Sequence, residues 1–166
     1  MSALSAPVRL VLDAESAAEL MTPNPISIRA EATVQDVLVL LTDKNIRAAP
    51  VINEAGQPIG VMSRSDILLH ERESHSSASA VPHFYHSDDL HGPAPASPAD
   101  PTHIVPVSEI MTPVVFSVRP ETPALRVIDE LRAMKVHRLF VVDVSGVLVG
   151  VVSTSDVLRH LLPEEA

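Results

Sequence analysis

The chain has 166 residues, none of which is cysteine or tryptophan, and aromatic residues make up only 2% of it. Without cysteine the protein can form no disulfide bond, no thiolate metal site and no cysteine nucleophile, which fits a reducing cytosol. Hydrophobic residues nevertheless account for 46% of the chain. We therefore expect a core built almost entirely from aliphatic side chains.

Positive charge is also scarce, since the chain has 12 lysine and arginine residues, 21 aspartate and glutamate residues and a formal net charge of −9. Nucleic acids and anionic membrane surfaces both attract basic proteins, so we expect neither as a partner. No stretch reaches the roughly 18 apolar residues that span a bilayer, and the first residues lack the basic start of a signal peptide. We therefore expect a cytoplasmic protein.

The chain does contain an internal repeat, in which residues 21–68 align without a gap with residues 111–158. Both copies open with Met-Thr-Pro, and the matched positions near their ends are Gly60, Ser63 and Asp66 in the first copy and Gly150, Ser153 and Asp156 in the second. A tandem repeat of about 50 residues predicts two copies of one supersecondary unit, each too small to bury its own apolar face. We therefore expect the copies to pack on each other around a pseudo-symmetric cleft.

Each copy predicts the order strand, helix, strand, strand, helix, which is an α+β fold. The first helix of each copy has an apolar stripe, at Val34, Val37, Leu38 and Leu41 and at Ala124, Val127, Ile128 and Leu131. We expect Thr33 to cap one helix and Thr122 the other, with Pro123 at the first helical position. The two strands that follow are apolar runs around a glycine-containing turn, at 48–52 with 58–62 and at 139–142 with 147–152.

The repeat also predicts the domain boundaries. Residues 1–20 form an N-terminal segment with a short helix over 13–20, and residues 21–70 form the first repeat. Residues 71–106 form a linker rich in histidine, proline and serine, in which 93–101 is expected to be extended, and residues 107–162 form the second repeat. We expect the first strand of each copy at 25–28 and 115–117.

The end of each copy holds the sharpest chemical signal, a buried strand that leads into Ser-x-x-Asp at a helix start. One interpretation is a capping box, in which serine and aspartate bond each other's backbone N–H groups. The other is a ligand site, because a helix N-terminus attracts phosphate and a carboxylate can accept two hydrogen bonds from a ribose diol. Two such corners at matched points of a repeat favour the second interpretation.

Together, the repeat, the Met-Thr-Pro openings and the two Ser-x-x-Asp corners resemble the CBS domain pair, or Bateman module. The resemblance covers residues 15–70 and 107–162. It implies two tandem CBS repeats, each a β-α-β-β-α unit, packed sheet to sheet with pseudo-twofold symmetry. It also implies two clefts that bind adenosine compounds, namely AMP, ADP, ATP or S-adenosylmethionine.

The resemblance assigns a role to each matching residue. Asp66 and Asp156 match the ribose-binding aspartates, and Ser63 and Ser153 match the hydroxyls that contact ligand. Arg47, His137 and Arg138 resemble phosphate-facing residues of a protein-kinase regulatory subunit in this family, so one implied site joins them with Ser63 and Asp66. Adenine would lie along the first strands, at Ile26 and Ser27 and at Phe116 and Ser117.

The two copies also differ near these clefts. Pro50 follows the family pattern at the start of the hairpin strand, whereas Phe140 replaces proline in the second copy. Arg47 and Ala48 also stand opposite His137 and Arg138. We therefore expect two unequal clefts, of which one is occupied.

Six of the eight histidines lie at or near the linker, at His70, His75, His83, His86, His91 and His103. His83 and His86 have a spacing that suits a metal ion, although no complete set of ligands accompanies them. They are weak candidates, and the alternative is a solvated linker.

The resulting hypothesis is a regulatory, non-catalytic module that senses an adenosine ligand, requires no cofactor and acts on an unknown protein target or on its own homodimer. Two alternatives remain, a ligand-free dimerisation scaffold whose corners are only helix caps, and a metal sensor that uses the linker histidines.

Overall fold

The computed structural model describes residues 9–76 and 104–164, and over these residues the chain forms nine strands and six helices. In chain order these are β1 (Leu10–Leu12), α1 (Ala17–Leu20), β2 (Thr22–Pro23), β3 (Ile28–Arg29), α2 (Val34–Asp43), β4 (Ala48–Ile52), β5 (Pro58–Ser63), α3 (Arg64–Ser76), α4 (Val107–Ile110), β6 (Ser117–Val118), α5 (Ala124–Ala133), β7 (Arg138–Val142), β8 (Leu148–Ser153), α6 (Thr154–Arg159) and β9 (Leu161–Pro163). The predicted β-α-β-β-α order is therefore present in both copies.

Each copy is built on a small sheet covered by helices. In the first copy β3 runs parallel to β4, and β4 forms an antiparallel hairpin with β5. In the second copy β6 runs parallel to β7, and β7 forms the matching hairpin with β8. The consecutive residues Ala49, Pro50 and Val51 of β4 are all buried, as expected for a strand covered on both faces.

The opening segment of each copy packs on the other copy. Strand β2 pairs with β8 of the second copy, and β1 pairs with β9 near the end of the chain. In the reverse direction, Thr112 forms a backbone bridge with Val61 of the first copy. The matched helix starts show the same exchange, because Ala17 N donates to Thr122 O at 2.8 Å and Val107 N donates to Ala32 O at 2.9 Å. The two copies are thereby interlocked rather than merely adjacent.

Two aliphatic cores result, one beneath each sheet. The first contains Ile28, Val37, Leu41, Ala49, Val51, Met62, Ile67 and Val107, the last of which comes from α4. The second contains Ala17, Leu20, Val118, Ala124, Val127, Leu131, Leu139, Val141, Val152 and Val157, the first two of which come from α1. Each copy is therefore completed by a short helix that lies before the other copy in the sequence.

The hairpin turns of the two copies meet. Leu148 N donates to Gly56 O at 3.0 Å, and Gln57 Nε2 donates to Ser145 O at 2.8 Å. Gly56 has a φ of +78° and Gly146 a φ of +83°, which glycine adopts without steric cost. These turns form part of the interface between the copies.

The helix predictions are correct in outline, with two corrections. Thr33 caps α2 as expected, but Leu38 is 37% exposed, because α2 packs through Val37 and Leu41 and Leu38 lies to one side of that line. Thr122 does not cap α5. Pro123 holds that place without a side-chain hydrogen bond, and the Thr122 hydroxyl accepts a bond from Arg119 N at 3.0 Å instead.

The first strands and the leading helix are shorter than predicted. Asn24 has a φ of +48°, which turns the chain after β2, so the first strand of that copy is Ile28–Arg29 rather than 25–28. The strand β6 is likewise Ser117–Val118 rather than 115–117. The helix predicted over 13–20 is only Ala17–Leu20, because Ser16 is extended and Leu10–Leu12 forms a strand with β9.

Helix α3 continues to Ser76, past the residue 70 at which the first repeat is predicted to end. The predicted extended stretch 93–101 and the candidate metal residues His83 and His86 lie outside the described residues. Among the residues that are described, no helix is both long enough and apolar enough to cross a membrane.

Candidate functional site

The first corner lies where β5 ends and α3 begins. Ser63 donates to Asp66 Oδ2 twice, from its backbone N at 2.7 Å and from its Oγ at 2.6 Å. Asp66 N returns a bond to Ser63 Oγ at 3.3 Å. This is the reciprocal bonding of a capping box, and it fixes the carboxylate at the helix start.

The other oxygen of Asp66 faces the second copy. Thr112 Oγ1, in the Met-Thr-Pro opening of that copy, donates to Asp66 Oδ1 at 3.3 Å. Thr112 is held there by two backbone hydrogen bonds to Val61, each 2.9 Å long. Residues of both copies thus meet at this carboxylate, which is half-buried.

An open pocket of about 370 Å³ adjoins the first corner. It is lined by Asp66, Leu69, His70, Glu73, Glu109 and Ile110. The walls come from α3 and from α4, the short helix that precedes the second copy in sequence and completes the first core. Its volume is within the range of small-molecule sites in proteins.

Arg47 lies beside this corner. Its side chain is exposed, and its carbonyl accepts a bond from Arg64 N, the first residue of α3, at 3.1 Å. The guanidinium of Arg64 itself is directed elsewhere, because its Nη2 donates to Leu41 O at 2.8 Å. Arg47 therefore supplies a solvent-facing positive charge next to Ser63 and Asp66.

The second corner repeats the capping box. Ser153 donates to Asp156 Oδ2 from its N at 2.8 Å and from its Oγ at 2.5 Å. Here, however, Arg159 Nη1 donates to Asp156 Oδ1 at 2.9 Å, and the aspartate side chain is only 9% exposed. His160 Nδ1 lies 2.8 Å from the carbonyl oxygen of Asp156, to which it must donate because a carbonyl only accepts.

His137 and Arg138 lie beside this second corner. His137 O accepts a bond from Thr154 N at 3.1 Å, and Arg138 pairs with Ser153 across the hairpin. Both side chains are exposed. Within the described part of the chain, neither side chain forms a hydrogen bond or an ion pair with Asp66. The structure thus brings Arg47 directly to the first corner, and His137 and Arg138 directly to the second.

The predicted adenine-binding residues lie just before the first strands or at their start. Ile26 is 42% exposed and Ser27 is half-buried, in a segment that is neither helix nor strand. Phe116 is half-buried against the second core, and Ser117 opens β6 with an exposed side chain. Exposure leaves Ile26 and Ser117 available to a ligand.

Phe140 and Pro50 hold matched places in β7 and β4 and pair with Val151 and Val61. Side chains alternate across a strand, so Phe140 points away from the face that carries Leu139 and Val141 into the second core. Phe140 is only 6% exposed, so the face of the sheet opposite the second core is also buried at this position.

Sequence reasoning missed three residues that shape these corners. Thr112 was noted only as part of a repeated opening, and the pair Leu69 and Arg159 was not compared. The signal lies one residue beyond the aligned segments, because Leu69 and Arg159 are at the same offset of the repeat, three residues after each aspartate.

The histidines do not assemble a metal site in the described part of the chain. His70 belongs to α3 rather than to the linker, and it matches His160 in the repeat. Within residues 9–76 and 104–164, no group of three or more histidine, aspartate or glutamate side chains is placed to hold a metal ion.

Comparison with known proteins agrees with this architecture. Residues 17–73 and 107–163 match the CBS domain, so the chain belongs to the CBS domain family and carries two repeats. It is 33% identical to 5'-AMP-activated protein kinase subunit gamma-3 of Bos taurus over 131 residues, which cover 79% of this chain and 23% of that protein. The chain spans less than a quarter of the length of the first curated relatives it matches.

Two solved structures share the fold. The crystal structure of CBSX2 in complex with AMP has a TM-score of 0.64 and 26% identity, and the match covers 88% of this chain and 95% of that one. The cytosolic domain of the Mg²⁺ channel MgtE in complex with ATP has a TM-score of 0.62 and 29% identity, over 89% of this chain and 49% of that one. The fold is therefore that of a CBS domain pair.

Proposed function

We propose that this CBS pair is a regulatory module that binds an adenosine-containing ligand in a cleft between its repeats, without catalysis. The candidate ligands are AMP, ADP, ATP and S-adenosylmethionine. Binding changes the relative stability of two arrangements of the repeats, and a partner protein or the protein's own assembly responds to that change. Two solved relatives with the same fold are complexes with AMP and with ATP, which supports this class of ligand.

The observation that carries the proposal is the first corner. A half-buried carboxylate is fixed by Ser63, meets Thr112 from the other repeat and lines an open pocket. A ribose diol presents two hydroxyl donors, which a fixed carboxylate accepts well. In this proposal Asp66 binds ribose, and the Ser63 hydroxyl contacts the ligand beside it.

The phosphate end is proposed to meet the exposed basic residues. Arg47 stands at the first corner, and its planar guanidinium suits phosphate oxygens. For His137 and Arg138 to join the same site, the phosphate must extend across the interface toward the second corner. Adenine would then lie against the segment before a first strand, where Ile26 and Ser27 or Phe116 and Ser117 are placed.

Titration calorimetry with AMP, ADP, ATP and S-adenosylmethionine tests the proposal. We expect binding of at least one of them, and Asp66→Ala should weaken it about tenfold or more, since a hydrogen bond to a charged group contributes ~1.5–3 kcal/mol. The absence of measurable binding for all four ligands at millimolar concentration would contradict the proposal.

Asp36→Ala is a matched control. Asp36 forms the same capping box with Thr33 at α2, where Thr33 Oγ1 donates to Asp36 Oδ2 at 2.6 Å. This variant removes a helix cap away from the proposed site, so it should lower the melting temperature slightly and leave binding unchanged. If Asp36→Ala and Asp66→Ala change binding equally, the corner of Asp66 acts only as a cap.

Homodimer formation is a second part of the proposal. Leu68 and Leu158 are matched residues on α3 and α6, and they are 64% and 62% exposed. Light scattering after size exclusion should show a dimer, and Leu68→Lys should shift it toward monomer. A stable dimer that binds none of the four ligands would favour the scaffold alternative.

A cytoplasmic location remains our expectation and is tested by cell fractionation.

A further inference from the structure

The two corners differ at one position beside the aspartate. Position 69 is leucine in the first copy, and the matched position 159 is arginine in the second. Leu69 lines the pocket next to Asp66, with 56% of its surface exposed. Arg159 instead reaches back one helical turn and bonds the second oxygen of Asp156. One residue therefore leaves a carboxylate open in one copy and covers it in the other.

The two carboxylates are not equally available to a ribose diol. At Asp66 the second oxygen meets one neutral hydroxyl, that of Thr112, at 3.3 Å. A hydroxyl can rotate and can itself accept a bond, so a ribose hydroxyl can take its place at little cost. At Asp156 the second oxygen holds a charged donor at 2.9 Å, and a charge-assisted bond of this kind is about twice as strong as a neutral one.

The two members of the ion pair between Asp156 and Arg159 differ in burial, and this difference determines how strongly the pair opposes ligand binding. The side chain of Asp156 is 9% exposed, so a ligand that displaces Arg159 must itself supply the lost bond inside the protein. The side chain of Arg159 is 72% exposed, and water therefore screens its charge and receives it when it moves away. The ion pair should accordingly weaken ligand binding at Asp156 without abolishing it.

We infer that Arg159 decides the occupancy of the two clefts, closing the ribose carboxylate of the second copy so that the chain binds one adenosine ligand tightly, at Asp66. This inference rests on the proposed function and deepens it. The unequal occupancy is thus assigned to residue 159. The clefts differ further in the matched pairs Arg47 and His137 and Pro50 and Phe140.

Reciprocal exchange of the two residues tests the inference. Titration calorimetry with AMP on the full chain should give one tight and one weaker binding event for the wild type. Asp66→Ala should weaken the tight event about tenfold or more, and Asp156→Ala should leave that event unchanged. Arg159→Leu should tighten the second event by up to about fivefold, as expected for loss of a largely exposed ion pair. Leu69→Arg should weaken the first event by a similar factor, because it creates the same pair at Asp66.

A control variant separates this effect from a general loss of charge. Arg132→Leu removes one positive charge from an exposed position of α5, and it should leave both events unchanged. Circular dichroism melting of each variant checks that the fold is kept. If Arg159→Leu unfolds the chain, Arg159→Gln removes the charge while keeping a similar length.

The outcomes are distinguishable. Two equal events in the wild type, or weaker second binding in Arg159→Leu, would overturn the role of Arg159 and leave the proposed function intact. No binding of AMP to the wild type, followed by none of ADP, ATP or S-adenosylmethionine, would overturn the proposed function and this inference with it.

Discussion

Asp66 and Asp156 hold the same place in two copies of one unit, and each accepts two hydrogen bonds from the serine that precedes its helix. Their surroundings nevertheless diverge. Asp66 meets a threonine from the other copy beside an open pocket, whereas Asp156 is held by an arginine of its own helix. Identical backbone and capping geometry can therefore support two sites of different availability.

The difference teaches where to look in a repeat. Contacts that both copies share, such as the bonds from Ala17 to Thr122 and from Val107 to Ala32, build the frame and keep the copies interlocked. Positions at which the copies differ, such as Leu69 and Arg159, are free to adjust function because the frame does not depend on them. Three predictions compare the copies further.

The largest expected effect concerns α1 and α4, the short helices that each complete the core of the other copy. Leu20 of α1 is 2% exposed in the second core, whereas its counterpart Ile110 of α4 is only half-buried against the first. Leu20→Ala should lower the free energy of unfolding by ~2–5 kcal/mol, as for other fully buried leucines. Ile110→Ala should cost less. Chemical denaturation measures both.

Hydrogen exchange shows which copy each variant loosens. For Leu20→Ala, protection should fall first in β7 and β8, although Leu20 lies before the first copy in sequence. For Ile110→Ala it should fall first in β4 and β5. Loss confined to the copy that follows each helix in sequence would contradict the exchanged packing.

A smaller effect is expected at two matched glycines. A Cβ atom at Gly60 would lie 2.7 Å from the backbone oxygen of Thr112, which cannot move without breaking its pairing with Val61. At Gly150 the nearest atoms all belong to the flexible side chain of Met21. Gly60→Ala should therefore lower the free energy of unfolding by ~1–3 kcal/mol, the usual cost of overpacking.

Gly150→Ala should cost measurably less than Gly60→Ala in the same denaturant series, since methionine can repack. Met21→Ala combined with Gly150→Ala tests this explanation, because removing the methionine side chain should relieve the clash. If the two glycine variants lower the free energy of unfolding equally, the contact with the Thr112 backbone oxygen does not account for the effect at Gly60.

Local sequence patterns predicted the elements of this fold but not their partners. The apolar runs gave β4 as Ala48–Ile52, and the Thr33 cap is present with its expected bonds. The position of α1 could not be read in this way, because the contact between Leu20 and the second core joins residues far apart in the chain. The cap of α5 was mistaken for a local reason, because Thr33 matches Pro123 in the repeat and proline has no side-chain hydroxyl to cap a helix.

In the candidate sites, too, local motifs could be predicted from the sequence, whereas contacts between distant residues could not. Ser63 and Asp66 could be predicted because their motif is short, and the structure gives them the bonds of that motif. The meeting of Asp66 with Thr112 depends on how the copies interlock. The pairing of Arg159 with Asp156 is local, at i and i+3 of one helix, and comparison of the copies could have revealed it.

The smallest expected effect concerns the first helix of each copy. Helix α2 begins at a capping box, whereas α5 begins after Pro123 without a side-chain bond. The Thr33 hydroxyl, and then the Thr33 backbone N–H, hold the pKa of Asp36 below its ordinary value. A carboxylate whose pKa is lowered by folding stabilises the native state above its unfolded pKa, and this contribution is lost as the pH falls through the folded pKa.

Acid should therefore loosen the start of α2 below about pH 4, while the start of α5 lacks this titration. Hydrogen exchange of the first turns of both helices at pH 6 and pH 3, corrected for the intrinsic exchange rates, measures the difference. Asp36→Asn removes the titrating group, so the first turn of α2 should then respond to pH as α5 does. If α2 in that variant still loosens more than α5 in acid, the cause lies in another carboxylate and the comparison of the two caps does not explain it.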